Sequence, residues 1–183
     1  MQDVLDAIDA AFPTDLPWGG MGLHEAEAID DGAGPEARRR AGEADRRHPP
    51  ASWREVETDD LARFPHAIFH LSDDAFRFFA PAFMRCSLMA IDDPRFDEVR
   101  ARTIHRFIGY GKGRGGRVSS ATPACDPRCF TSAQQAAITR FLEYWLVPLG
   151  DAPSGDPLQR RDLEGLEAWR RACEDRRGGL PGW

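Results

Sequence analysis

The stretch "HLSDDAFRFFAPAFM", which runs from His70 to Met84, decides how this chain folds. Ser72 and Asp73 are residue types that cap the N-terminus of a helix, because their side-chain oxygens accept hydrogen bonds from free backbone N–H groups. A helix is therefore predicted to begin there. Pro81 is expected to interrupt that helix, or to open the next one at a position where a missing N–H costs nothing.

The aromatic residues of this stretch have a helical spacing. Phe76, Phe79 and Phe83 follow one another in steps of three and four residues, so they share one face of a helix. Burying a side chain of this kind contributes about 1.5–3 kcal/mol. Phe78 lies off that face and is expected to meet a second element. The stretch is thus predicted to belong to the core rather than to a binding site.

Helical periodicity continues on both sides of this stretch. Thr131 and Gln134 have the spacing of a capping box at the start of one further helix. Residues 35–48 are polar on nearly all sides, so a helix there would be exposed or partly mobile. Residues 66–72 form a short apolar run that suits a buried strand or an extended lead-in. The spacing of apolar residues predicts further helices over 4–12, 23–29, 96–108, 131–146 and 163–173.

Together these elements predict a mainly α protein. The expected architecture is an irregular multi-helix single domain over residues 1–183, with room for one short β-strand pair. Residues 109–129 are predicted to be a long loop rich in Gly, Ser and Pro, and residues 177–183 a flexible tail. With 183 residues, of which 42% are apolar, the chain is long enough to bury one core.

Acidic residues are concentrated at the beginning of the chain. Residues 1–35 contain eight Asp or Glu and no Lys or Arg, and the net charge of the whole chain is −6, so residues 36–183 carry +2. The overall acidity disfavours nucleic acid as a partner. An acidic segment suits a basic protein partner, and an ordinary solvated face is the alternative. The residues predicted to bind such a partner are Glu25, Glu27, Asp30 and Asp31.

Two histidines are considered as metal ligands. His66 and His70 are four residues apart, so they share one face of either a helix or a strand. A metal site would need a third ligand, usually a carboxylate or another histidine, and Asp73 and Asp74 are near in sequence. A packed segment with polar edges is the alternative reading.

Two cysteines are considered in the same way. Cys125 and Cys129 are separated by three residues, but a zinc ribbon requires a second close pair. Cys86 and Cys173 would complete a site only if the fold brought them in. Because no complete ligand set is apparent, neither a metal nor another cofactor is predicted.

No catalytic residue is predicted. The glycine-rich loop from Gly111 to Gly116 has basic residues that suit a phosphate, but a dinucleotide fingerprint must follow a strand and open a helix. No Gly-Lys-Ser/Thr or Gly-x-Ser-x-Gly motif occurs in the sequence. A flexible basic loop is therefore expected, and enzymatic activity is not favoured.

The segment that follows Met1 has neither a basic region nor an apolar region of the kind found in signal peptides. No apolar run approaches the ~20 residues that a membrane span needs. The sequence therefore predicts a cytoplasmic protein with mostly reduced cysteines and no membrane partner, and it leaves open whether Cys125 and Cys129 form a disulfide. Its oligomeric state is left open.

Three parts of the chain resemble a bacterial family known as domain of unknown function 6714. They are "AAF…GLHEAEAIDD" near the start, "AIFHLSDDAFRFFAPAFM" preceded by Trp53, and "FTSAQQAAITRFLEYW". Members of that family similarly carry a Leu–Ser–acidic block before an aromatic Pro-Ala segment, and then a Phe-Thr-x-x-Gln helix. The likeness extends from about Val4 to Trp145. It implies no activity, cofactor or catalytic residue.

Three functions remain open at this point. The first is a non-enzymatic protein-binding module, for example one with immunity-like or antitoxin-like neutralisation, which uses its acidic N-terminal segment. The second is a metal-dependent enzyme or small-ligand binder that uses the region of His66 and His70. The third is an accessory domain without a ligand of its own. Sequence does not separate the third from the first.

Overall fold

The computed structural model describes residues 1–109, 125–150 and 157–178. This part of the chain is mainly α-helical, as predicted, and contains no β-strand. Its α-helices are α1 (Gln2–Ala11), α2 (Leu23–Asp30), α3 (Pro35–Arg47), α4 (Thr58–Arg63), α5 (Asp73–Met89), α6 (Asp97–Ile108), α7 (Ser132–Gly150) and α8 (Pro157–Gly178). Short 3₁₀ turns lie at Trp53–Glu55, Ala67–Phe69, Pro94–Phe96 and Pro127–Cys129.

The chain divides into two compact units. One unit comprises Phe12–Thr103, and the other comprises Met1–Ala11 together with Ile104–Trp183. Most of α2 to α6 therefore lies in the first unit, whereas α1, α7 and α8 lie in the second. The single domain over 1–183 stays a prediction.

Helix α5 is the central element of the Phe12–Thr103 unit. Its first residues are capped as expected, because Ser72 Oγ accepts a hydrogen bond from the backbone N–H of Ala75 at 3.4 Å. All four phenylalanines of the helix are buried, which confirms that the stretch belongs to the core. Phe78 packs edge-to-face on Phe79 of the same helix with 5.2 Å between ring centroids, and its expected contact with a second element stays a prediction.

The expected interruption at Pro81 is wrong, because α5 continues through this residue to Met89. A proline inside a helix costs about 3 kcal/mol through a lost hydrogen bond and a steric clash. The four buried phenylalanine rings contribute about 1.5–3 kcal/mol each. Burial on both sides of Pro81 therefore outweighs the local penalty.

The apolar run at 66–72 is not a strand, so the short β-strand pair is absent from the residues that the structure describes. The run instead forms the 3₁₀ turn Ala67–Phe69. Its backbone groups are satisfied locally, since the N–H of Phe69 donates to His66 O at 3.0 Å and the N–H of His70 donates to Ala67 O at 2.9 Å. Ala67 and Ile68 are fully buried and anchor the turn.

The polar segment after residue 34 is the helix α3, as the sequence allowed. Gly42 is the one buried residue of α3, and the rest of the helix is exposed or half-buried. Exposed ion pairs cover its surface, for example the pair between Arg39 and Glu43 at 2.6 Å. Such a helix has no apolar face of its own and depends on its contact with α2.

An aromatic cluster forms the core of the second unit. Phe107 packs edge-to-face on Trp169 with 5.6 Å between ring centroids, and it also contacts the rings of Phe130 and Phe141. The indole Nε1–H of Trp169 donates to Thr139 Oγ1 at 3.1 Å, so the buried polar group is satisfied. The apolar spacing predicted which faces of α6 and α7 are buried. It also predicted most of the buried face of α8.

The capping box at the start of α7 is confirmed. The backbone N–H of Gln134 donates to Thr131 Oγ1 at 3.3 Å, and the backbone N–H of Thr131 donates to Gln134 Oε1 at 3.0 Å. Both donors at this helix end are thus satisfied by side chains, which is the reciprocal arrangement that the spacing predicts.

Two predicted irregular segments are described only in part. Of the loop predicted over 109–129, residues 110–124 lie outside the described residues, and the end of the segment forms the 3₁₀ turn Pro127–Cys129. The glycine-rich loop from Gly111 to Gly116 lies entirely in this undescribed range. Of the tail predicted over 177–183, the first two residues belong to α8, which extends to Gly178, and residues 179–183 lie outside the described residues.

Candidate functional site

Histidines and carboxylates from three elements meet on the Phe12–Thr103 unit. His70 Nε2 lies 2.8 Å from Asp30 Oδ1, and His66 Nδ1 lies 3.8 Å from Asp30 Oδ2. The second ring nitrogen of His66, Nε2, lies 3.2 Å from Glu98 Oε1. We call Glu27, Asp30, His66, His70 and Glu98 the histidine–carboxylate cluster.

The local fold explains why these residues meet. His66 and His70 flank the 3₁₀ turn Ala67–Phe69, and the buried Ala67 and Ile68 hold that turn in the core while both imidazoles stay partly exposed. Helix α2 packs on the same turn and ends at Asp30. The cluster thus joins residues that are 40 positions apart in sequence.

Glu27 is the electrostatically strained member of the cluster. Partial burial raises the pKa of its carboxyl group, and the negative charges of Asp31 and Asp30 raise it further, against a smaller opposing effect of His66 and His70. Its Oε2 atom is buried and accepts no hydrogen bond in the part of the chain that the structure describes. A buried carboxylate oxygen without a donor is uncommon and costly.

The pKa of Glu98, in contrast to that of Glu27, is lowered. A hydrogen bond from Arg102, with Nε at 2.7 Å from Oε1, is the main cause that lowers the pKa of Glu98, and His66 contributes in the same direction. Glu98 is therefore a satisfied carboxylate, whereas Glu27 is not. The unsatisfied negative charge of the cluster lies on the side of α2.

Within the described ranges, no group of three or more His, Cys, Asp or Glu side chains could hold a metal ion. The geometry of the cluster gives a reason, because the two ring nitrogens of His66 face two different carboxylates and do not converge on one point. Asp73 and Asp74 lie in the first turn of α5, where Asp74 pairs with Arg77 at 3.3 Å.

The cysteines considered as metal ligands differ in their burial. Cys125 is buried and Cys129 is half-buried at the 3₁₀ turn before α7. Cys86 is buried within α5, and this burial raises the pKa of its thiol to about 12. A nucleophilic cysteine has a lowered pKa, so Cys86 is a structural residue.

The four residues predicted to bind a partner do not have the same environment. Glu25 is already paired with Arg46 of α3 at 3.4 Å. Asp30 contacts both histidines of the cluster. Asp31 is exposed at the C-terminus of α2, beside Glu27. The structure therefore brings Glu27, Asp30 and Asp31 together with His66 and His70, which the sequence had assigned to two separate hypotheses.

A second feature of the same unit, which sequence reasoning missed, is a cleft of about 450 Å³. We call it the acidic cavity, because the described residues that line it include four carboxylates and no lysine or arginine. Aromatic and aliphatic groups form much of its wall, including Trp18 and Phe79. The carboxylates that line it belong to Asp45, Glu55, Glu57 and Asp60.

Asp45 is the structural centre of the cavity wall. Its side chain is only 7% exposed, and Oδ1 lies 2.7 Å from His24 Nδ1. Its Oδ2 accepts a hydrogen bond from the backbone N–H of Glu25 at 2.9 Å. Gly22, the N-cap of α2, has no side chain that could accept this hydrogen bond. A Cβ at this position would lie 2.3 Å from Asp45 Cγ. Asp45 of α3 therefore caps α2 from outside the helix.

Trp18 is placed by the turn that precedes α2. Gly19 has a φ of +81°, and a Cβ at this position would lie 2.5 Å from the backbone nitrogen of Ala75. The turn can therefore lie against the start of α5 only with glycine at this position. The indole Nε1–H of Trp18 is buried and finds no acceptor among the described residues.

The signals for the acidic cavity were present in the sequence but could not be combined there. "PWGGMG" predicts a turn, and the Gly22 N-cap leaves a helix end that needs an acceptor from elsewhere. The acceptor comes from a residue 20 positions later. Only the tertiary structure shows that it also orients His24.

Comparisons with known proteins place the chain in a family without assigning an activity. None of the described helices has the length and apolar character that crossing a membrane requires. No curated protein and no solved structure matches the chain. A family model described as "Family of unknown function (DUF6714)" matches residues 1–154. Since the match covers most of the sequence, the chain belongs to the family DUF6714.

Proposed function

We propose that this chain is a cytoplasmic, non-enzymatic protein-binding module that neutralises a basic surface of its partner. The observation that supports the proposal is the environment of the Glu27 carboxyl group. This half-buried carboxyl group has a raised pKa, an oxygen without a donor, and two further carboxylates beside it. Asp30 and Asp31 are exposed, so a cationic side chain from a partner can approach them and offset the repulsion among the three carboxylates.

The proposed contact residues are Glu27, Asp30 and Asp31. Asp31 is exposed and makes no side-chain ion pair among the described residues, so it is available to a partner. Glu25 is better viewed as a support, because Arg46 already neutralises it. Charge complementarity of this kind speeds association and selects the partner more than it adds affinity. Such properties suit immunity-like or antitoxin-like neutralisation of a basic protein.

A small-ligand or metal-dependent role of His66 and His70 is the second candidate. It is supported by the convergence of both imidazoles on Asp30. It ranks second because the described residues offer no set of three convergent metal ligands. Equilibrium dialysis against Zn²⁺ tests it, and stoichiometric uptake that is abolished by His66→Ala and His70→Ala would place this candidate first.

The protein-binding proposal is tested by capture from native lysate, with quantitative mass spectrometry of what is retained. The test variant is Glu27→Gln/Asp30→Asn/Asp31→Asn, which removes three charges and keeps the side-chain sizes. A matched control removes three exposed carboxylates elsewhere on the same unit, at Glu36, Glu43 and Asp92. We expect one stoichiometric basic protein with the wild type and the control, and its loss with the test variant. Equal retention by all three proteins contradicts the proposal.

A further inference from the structure

We infer that the acidic cavity binds the guanidinium group of one arginine side chain of the basic partner. The inference rests on the proposed function, because it names the anchor of the same partner. It concerns a different set of residues, however, so the two can be tested separately.

The charge of the cavity selects a cation. Of its four carboxylates, Asp45 is engaged by His24 and by the N–H of Glu25, and Glu55 accepts a hydrogen bond from the N–H of Ala51 at 3.1 Å. Glu57 and Asp60 have no side-chain partner in the part of the chain that the structure describes, and no lysine or arginine lines the cleft. An entering cation thus finds two carboxylates without competing partners.

The shape of the cavity selects a planar cation with an apolar stem. Trp18 and Phe79 contribute aromatic surface, and Pro49, Pro50 and Val56 contribute aliphatic surface. A guanidinium group is planar, weakly hydrated and suited both to stacking on aromatic rings and to forked hydrogen bonds with carboxylates. The methylene groups of an arginine contact apolar walls of this kind. A hydrated metal ion would use the carboxylates but not the rings.

Trp18 makes the cavity experimentally accessible. It is half-buried in the cavity wall, so its ring contributes aromatic surface for a guanidinium group, and its indole N–H signal reports on what enters the cavity. The charge and the shape of the cavity together therefore fit an arginine side chain.

The experiment is an NMR titration of the full chain, in which the indole N–H signal of Trp18 is assigned by comparison with Trp18→Phe. The probe is N-acetyl-arginine amide, which carries both the guanidinium and two amide carbonyls. The matched control probe is N-acetyl-citrulline amide, which has the same shape without the charge. We expect a saturable shift of the Trp18 signal by the arginine probe, with a dissociation constant on the order of 1 mM, and little shift by citrulline.

Two variants locate the binding. Glu57→Gln/Asp60→Asn is expected to weaken the arginine probe by about tenfold or more, because each lost contact is a charge-assisted hydrogen bond. Glu27→Gln/Asp30→Asn/Asp31→Asn is expected to bind the probe as the wild type does. No shift with the arginine probe, equal shifts with both probes, or an unchanged affinity in Glu57→Gln/Asp60→Asn would overturn the inference.

The proposed function and this inference fail in different ways. If the triple variant keeps the partner while the arginine probe still binds at Trp18, the contact surface of the proposed function is wrong and the cavity inference stands. If the triple variant loses the partner while the probe does not bind, the proposed function stands and the cavity is not its anchor.

Discussion

Replacement of Asp45 by alanine removes two interactions of one buried carboxylate. Oδ2 caps the N-terminus of α2 through the N–H of Glu25, and Oδ1 holds His24. Loss of an N-terminal cap costs about 1 kcal/mol. Loss of the contact between Oδ1 and His24 adds about 0.5–1 kcal/mol, because the imidazole is 52% exposed and regains hydrogen bonds with water. We therefore expect Asp45→Ala to lower the free energy of unfolding by about 1.5–2 kcal/mol.

The assay is urea unfolding followed by circular dichroism, with amide hydrogen exchange as a local measurement. With a denaturant slope of about 2 kcal/mol per molar, the midpoint falls by about 0.7–1 M. Exchange of the Glu25 amide accelerates in parallel. Asp45→Asn retains an acceptor for this amide, so its free energy of unfolding is expected to fall by about half as much as that of Asp45→Ala. Asp92→Ala, an exposed control, stays within about 0.5 kcal/mol of wild type. An Asp45→Ala midpoint equal to that of Asp92→Ala would refute the capping role.

Three further predictions concern other parts of the chain. Glu27→Gln is expected to stabilise the protein at pH 7 but not at pH 4. Burial raises the pKa of the Glu27 carboxyl group in the folded protein above its usual value, so the wild type loses stability as the pH rises through that folded pKa. Urea midpoints of the variant and the wild type at the two pH values check this, and an equal difference at both would contradict it. Phe107→Ala should lower the free energy of unfolding by about 3–5 kcal/mol, since it empties the centre of the aromatic cluster; a loss below about 1 kcal/mol would mean that the ring is dispensable. Thr131→Ala should cost about 1 kcal/mol through loss of the capping box, as measured by the same urea titration, whereas no change would mean that α7 does not depend on this cap.

Much of the fold could be predicted because it depends on local patterns. The apolar spacing of α1, α6 and α7 and the capping box at Thr131 are read from residues within one or two turns of one another. The interruption predicted at Pro81 and the strand predicted over 66–72 are wrong for a common reason. In both cases burial in the core decides the backbone conformation, and local rules do not contain the free energy of that burial.

The sequence identified single residues of the candidate site but not that they lie close together. Glu27, Asp30, His66 and His70 were each singled out from the sequence, but as members of two different hypotheses. That they meet follows from the packing of α2 on the 3₁₀ turn 67–69, which links positions about 40 residues apart. The acidic cavity could not be predicted at all, because its wall combines a turn before α2 with the end of α3 and the segment after it.

The most direct test of the proposed function is the affinity between the chain and its captured partner as a function of ionic strength. If the three carboxylates Glu27, Asp30 and Asp31 form the contact, the wild type loses affinity steeply as salt increases. The triple variant Glu27→Gln/Asp30→Asn/Asp31→Asn then binds at least about tenfold more weakly at low salt and shows a shallower salt dependence. An affinity and a salt dependence that are the same in the wild type and the triple variant would contradict the account.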